Sequence, residues 1–231
     1  MAEESKFSMQ LEHVLTSELD LQDQLGSGYL EGYAIRGVLL SRTSFEDKKL
    51  KMVAFNSTSV ENLSFERMEA ENVQYSGARM RGAYFSGAQL NTVNMLNCEA
   101  FQAHFTEAVL DGCSIFDTKM PSSSFQKAKL IKTQFQDTEL YGASFEHAFI
   151  CQSSFKVTEA NRVESLSRSD FRNALIIDTS MKGFNLFASN FQNAILIRVD
   201  LRGANLSQVD FRGATLLGCK FNQGDLDYAI R

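Results

Sequence analysis

The chain has no tryptophan, one proline (Pro121), three histidines and four cysteines among its 231 residues. With a single proline there are none of the Pro-, Gly- and Ser-rich linkers that usually separate domains, so one domain is expected. No segment approaches the 18 or so uninterrupted apolar residues of a membrane span. The opening MAEESKFSMQ, with two acids and no long apolar run, fits neither a secretory signal nor an Arg-rich transit peptide. These absences predict a soluble, cytoplasmic protein with no membrane attachment.

Catalytic and ligand-binding patterns are also scarce. His13, His104 and His147 lie far apart. Cys98, Cys113, Cys151 and Cys219 form no C-x-x-C pair and no Cys/His cluster, so neither a metal site nor a disulfide is expected, which suits a reducing compartment. Gly26 and Gly28 are followed by Gly32, too late for a G-x-G-x-x-G loop, and no Walker pattern occurs. The expectation is no catalytic residues, no cofactor and no enzyme activity.

Charge is missing from most of the chain. The net charge is -5, and residues 1–27 account for all of it, with Glu3, Glu4, Glu12, Glu18, Asp20 and Asp23 against Lys6 alone. The neutral remainder gives no electrostatic footing for direct binding of nucleic acid.

What is abundant is a period of five. In FQNAILIRVDLRGANLSQVDFRGATLLG, from Phe191 to Gly218, the large residues Phe191, Leu196, Leu201, Leu206, Phe211 and Leu216 each follow a small one two places earlier. This is neither the period of two of a half-buried strand nor the 3.6 of a helix, and it marks an internal repeat. The count runs unbroken from Leu30 to Phe155, with Ala70 and Ala100 its weakest large members. Between Ala78 and Ser153 the small position is always Ala, Val, Cys, Thr or Ser. Gly recurs two places after the large residue (Gly32, Gly37, Gly77, Gly82, Gly87, Gly142), where a corner benefits from a missing Cβ. Asp and Asn before the large residue, as in Asp170, Asn190, Asp200, Asn205 and Asp210, are expected to bond at those corners.

ANLSQ at 204–208, VDLRG at 199–203 and VDFRG at 209–213 make the chain resemble the pentapeptide-repeat family. The resemblance covers roughly residues 28–228. It implies an all-β fold, a right-handed quadrilateral parallel β-helix with four repeats per coil and about ten coils, on the order of 45 to 50 Å long at the usual strand spacing. The sequence supports the coil length itself. Every fourth large residue is Phe45, Phe65, Phe85, Phe105, Phe125 and Phe145.

Two departures bear on function. After Phe155 the count resumes at Leu166 and Phe171, and only an insertion of six residues keeps the Phe column running into Phe171, Phe191 and Phe211. That predicts a projecting loop over Val157, Thr158, Glu159, Ala160, Asn161, Arg162 and Val163. The second departure lies beside Leu130, Ile150, Ile176, Leu196 and Leu216, where outward positions should be polar. They hold Ile131, Phe149, Cys151, Leu175, Ile177, Ile195, Ile197 and Leu217 instead. Stacked, these would form an apolar patch of several hundred Å², which a soluble monomer seldom leaves bare. The patch is expected to be a homodimer or partner interface.

Residues 1–27 lie outside the repeat. Phe7, Leu11, Val14, Leu15 and Leu19 fall at helical spacing, while Phe7, Met9 and Leu11 also alternate as a strand would; the reading taken is a short helical cap over residues 1–27, ahead of a solenoid over 28–231. The family resemblance offers two roles besides a protein-interaction scaffold. One is binding of DNA gyrase or topoisomerase IV as a DNA mimic that confers resistance to quinolone-like inhibitors. The other is secretion as a bacterial effector, with the N-terminal segment as signal.

Overall fold

The computed structural model describes Leu11, residues 13–158 and residues 165–231. Two parallel sheets run the length of a column. One has eight strands, from His13–Leu15 through Tyr33–Arg36 and Ala54–Asn56 to Ser154–Lys156. The other has ten, from Tyr29–Glu31 and Lys49–Lys51 to Leu175–Ile177, Ile195–Ile197 and Thr215–Leu217. The two remaining faces are joined by single bridges, such as Leu39 to Ser59 to Arg79 and Tyr84 to His104 to Ser124. Ten strands at the usual spacing make a column about 45 Å long.

Each coil is built from the repeat's size alternation. The large residues fill the axis, and Phe65, Phe85, Phe105, Phe125 and Phe145 are fully buried. From Phe45 to Phe191 the rings of the Phe column lie face to face, with centroids 4.5 to 4.9 Å apart and planes within 9°. The small residues close the inner corners, where hydroxyls are satisfied by carbonyls of the coil before. Thr133 Oγ1 donates to Leu110 O at 2.9 Å and Ser189 Oγ to Leu166 O at 2.8 Å. Phe184 breaks the size rule and is still buried, its ring edge-on to Phe155.

The insertion has the size that the columns require. Phe145 stacks on Phe171, and Ile150 pairs with Ile176 in register. Corners behave differently from the glycine-based expectation. The position two after the large residue is left-handed whether or not it is glycine: φ is 62° at Gly82, 57° at Asn62, 52° at Thr92 and 51° at Lys132. A non-glycine residue there costs roughly 1–2 kcal/mol. The corner amide offsets that cost by joining the ladder, as in Lys132 N to Cys151 O at 2.9 Å. The Asp and Asn residues before the large position do bond at the turns: Asn190 Oδ1 accepts from Gln192 N and Asp210 Oδ1 from Arg212 N.

At the N-terminal end the chain forms a strand, His13–Leu15, and then a helix, α1, Glu18–Leu25. The helix lies later than the spacing of Phe7 to Leu19 predicts. Val14 is exposed on the strand and Leu19 is exposed on the helix, while Leu21 and Leu25, one turn apart, are the buried pair. Phe7 lies outside the described residues. Ser17 caps the helix, its Oγ accepting from Asp20 N at 3.2 Å.

Among the described residues two buried side-chain oxygens, Tyr75 Oη and Ser144 Oγ, have no hydrogen-bond partner, and the tyrosine lies in the core. The Tyr75 ring stacks on Phe55 at 4.8 Å, and its hydroxyl is buried with no hydrogen-bond partner. Burial pushes the phenol far above its ordinary pKa. Tyr75→Phe removes an orphaned donor at constant shape, so it should stabilise the protein by about 1–2 kcal/mol. Urea denaturation of the two forms checks this, and a less stable Phe variant would mean that the hydroxyl has a partner.

Candidate interaction face

The strand register brings all eight sequence-selected apolar residues together. On the ten-stranded sheet, Lys129 pairs with Phe149, Phe149 with Leu175, Leu175 with Ile195 and Ile195 with Thr215. The parallel row runs Ile131, Cys151, Ile177, Ile197 and Leu217. The alternation of a strand turns the middle residue of each triplet inward and the outer two outward. One apolar row therefore runs over five coils, beside a second that is apolar over the middle three. Ile195 and Leu217 are the most open, at 43% and 54% exposure, and the other six are half-buried.

The same sheet is charged in its other half. Its outward rows there read Tyr29, Lys49, Glu69, Gln89, Val109 and Glu31, Lys51, Glu71, Asn91, Asp111. Lys49 Nζ meets Glu69 Oε2 at 2.8 Å. Around Ala70, the smallest inward residue of that column, the face dips into a cavity of about 660 Å³ lined by Tyr29, Lys49, Lys51, Glu69 and Glu71. The apolar half is bordered by a corner ion pair, with Arg198 Nε and Nη2 each 2.6 Å from an Asp178 carboxylate oxygen. That contact holds the Asp178 carboxyl below its ordinary pKa.

Of the loop residues, Val157 packs against the core and Thr158 N donates to Asp137 Oδ1 at 2.6 Å. Glu159, Ala160, Asn161, Arg162 and Val163 lie outside the described residues. Among the described residues no group of His, Cys, Asp and Glu has the arrangement of a metal site. His104 stacks on Tyr84 at 4.8 Å. Cys98 and Cys113 are buried in the small position, and burial raises their thiols to about 11 and about 12 respectively, which makes them inert. Cys151 is half-buried in the apolar row. No helix among the described residues is long and apolar enough to cross a membrane.

Sequence reasoning missed one polar hub. Glu18, at the first turn of α1, reaches the loop before Phe45. Its Oε1 accepts from Ser41 N, Arg42 N, Thr43 N and Thr43 Oγ1 at 2.7 to 2.9 Å, and Oε2 accepts from Ser41 Oγ at 3.3 Å. The only local signal is Ser17, a good N-cap, followed by two acids in the first turn. The loop it grips lies more than 20 residues away.

Comparison with known proteins agrees with this architecture. The family profile described as pentapeptide repeats matches in eight copies, over residues 78–115, 122–156, 165–203 and 194–229. Among curated proteins no sequence matches. Among solved structures, full-length QnrB1, described as a plasmid-mediated fluoroquinolone resistance protein, is 18% identical, with a TM-score of 0.52 over 86% of this chain and 96% of that one. HetL, a pentapeptide repeat protein involved in heterocyst differentiation regulation in the cyanobacterium Nostoc, is 19% identical, with a TM-score of 0.39 over 88% of this chain and 93% of that one.

Proposed function

The chain belongs to the pentapeptide-repeat family, and from that premise we propose that it is a non-catalytic scaffold, a stiff column that offers one apolar face to a protein partner. The observation that carries this reading is the pair of apolar rows on strands that elsewhere in the same sheet point Lys, Glu and Gln outward. A repeat fold forms such a surface readily, because each coil contributes the same two outward positions and the column holds them in register. The six-residue insertion after Phe155 is the natural place for partner selectivity, since loops tolerate variation that the coils do not.

A second reading is favoured by the likeness to QnrB1 in fold and by the six-residue insertion after Phe155: protection of DNA gyrase or topoisomerase IV from quinolone-like inhibitors. Against it stands the neutral charge of the repeat body, since a mimic of DNA needs a negative one. A gyrase supercoiling assay with a fluoroquinolone, with and without this protein, separates the two readings. The scaffold reading expects supercoiling to be unchanged by the protein in both conditions. Restored supercoiling in the presence of drug would replace it with the protective role.

A further inference from the structure

We propose that the occupant of the apolar face is a second copy of this chain, docked face to face with the two columns running in opposite directions. The proposal rests on the reading of this face as a protein-binding surface, and it goes further by fixing both partner and orientation.

Two limiting twofold arrangements bring this sheet against itself, with the axis along the column or along the strands. In one, the axis runs along the column, so every strand faces its own copy and the two outward rows exchange. Lys49 would then lie opposite the partner's Lys51, and Glu69 opposite the partner's Glu71, along the half of the face whose rows are charged. Like charges brought together and desolvated in this way oppose the arrangement. In the other, the axis runs along the strands and the columns are antiparallel. With the axis through Leu175–Ile177, the middle of the five apolar strands, Phe149 faces Ile195 of the second copy, Cys151 faces Ile197, Ile131 faces Leu217 and Ile177 faces Ile177.

In this orientation the charged strands, from Val109–Asp111 back to Tyr29–Glu31, pass beyond the end of the second column and meet no like charge. Lys129 lies opposite Thr215. The one acid brought onto its own copy, Asp178, is already neutralised by the bidentate Arg198 beside it. The longer apolar row therefore ends where an antiparallel overlap needs it to end, at Leu217 on the last strand of the sheet.

Size sets the strength. Five strands at about 4.8 Å spacing give a contact of a few hundred Å² on each copy, below the roughly 800 Å² per partner of a standard stable interface and in the range of weak, transient contacts. The dimer should therefore form in a concentration-dependent way.

The test is cross-linking by a short bis-maleimide in a Cys219→Ala background, where Cys151 is the one accessible thiol among the described residues. Two variants, Ile197→Cys and Phe149→Cys, are compared with that background, and sedimentation velocity is run across protein concentration. The antiparallel dimer predicts cross-linked dimer with Ile197→Cys, where the new thiol faces Cys151 of the second copy, and little with Phe149→Cys or with the background alone. Cross-linking by Phe149→Cys instead would establish the parallel arrangement and overturn the proposal. A parental protein that sediments as a monomer at every concentration, with no cross-link from either variant, would also overturn it. That last outcome would leave the face open to a different protein, so the scaffold reading would fail separately, on partner binding.

Discussion

Replacing Phe105 with alanine should lower the unfolding free energy by about 3–5 kcal/mol, the largest effect of any single substitution in the column. Phe105 is fully buried, with Phe85 and Phe125 stacked on its two faces at 4.9 Å, so truncation opens a void in mid-column that neither neighbouring coil can fill by closing up. Coils contact only their neighbours along the axis, and stability in such a fold is close to a sum over adjacent interfaces. A break in the middle weakens two interfaces at once. Phe211 stands at the other extreme, slightly exposed and tilted 32° against Phe191 near the end of the column. Phe211→Ala should cost clearly less than Phe105→Ala. Guanidinium denaturation monitored by far-UV circular dichroism measures both. Equal losses at the two positions would show that the stack does not act through neighbour contacts.

Removing the Glu18 carboxylate should cost about 1–2 kcal/mol, a charged hydrogen-bond network discounted for its partial exposure to water. Partial burial pushes this carboxyl's pKa up, but the bonds from Arg42 N, Ser41 N and Thr43 outweigh it and hold the group below its usual range. A carboxyl depressed in the folded state stabilises above its unfolded pKa of about 4.3 and loses that contribution as pH falls through the lower folded value. Asp200, held down to about 2 by its bidentate Arg202, adds to the same acid limb. Unfolding free energy should thus fall as pH drops below about 4, and Glu18→Gln should show lower stability at neutral pH with a shallower acid decline. A Gln variant as stable as the parent at pH 7 would show that the α1-to-loop contact adds nothing.

The periodic part of this protein was legible because one physical rule, large and small side chains alternating around a narrow axis, repeats in nearly every coil, with Phe184 as an exception. The Phe column, the six-residue insertion and the stacking of Ile131, Cys151, Ile177, Ile197 and Leu217 all follow from counting, and the register of the sheets agrees with each. The illegible parts are those that no period governs. The helix lies at Glu18–Leu25 because Leu21 and Leu25 cover the first coil, a long-range contact that outweighs the apolar spacing upstream. Glu18 looks like an ordinary acid at a helix start, and only the folded loop at residues 41–43 gives it a role. The corners mislead for a related reason. Glycine marks the left-handed position by preference, but the ladder hydrogen bonds impose that conformation on Thr92, Lys132 and Arg198 as well.

The account of the apolar face stands most directly on its being a surface that a second copy of this chain covers. Ile177 and Ile197 sit at the centre of that surface, with side chains only half-buried, so two glutamates there can be tolerated by the coil but not by an apolar contact. Sedimentation equilibrium of the Ile177→Glu, Ile197→Glu double variant, beside the parent and with matching circular dichroism spectra, is the decisive comparison. The account predicts a parent whose mass rises above 25.9 kDa with concentration and a variant that stays at that value. Identical mass profiles for the two folded proteins would contradict it.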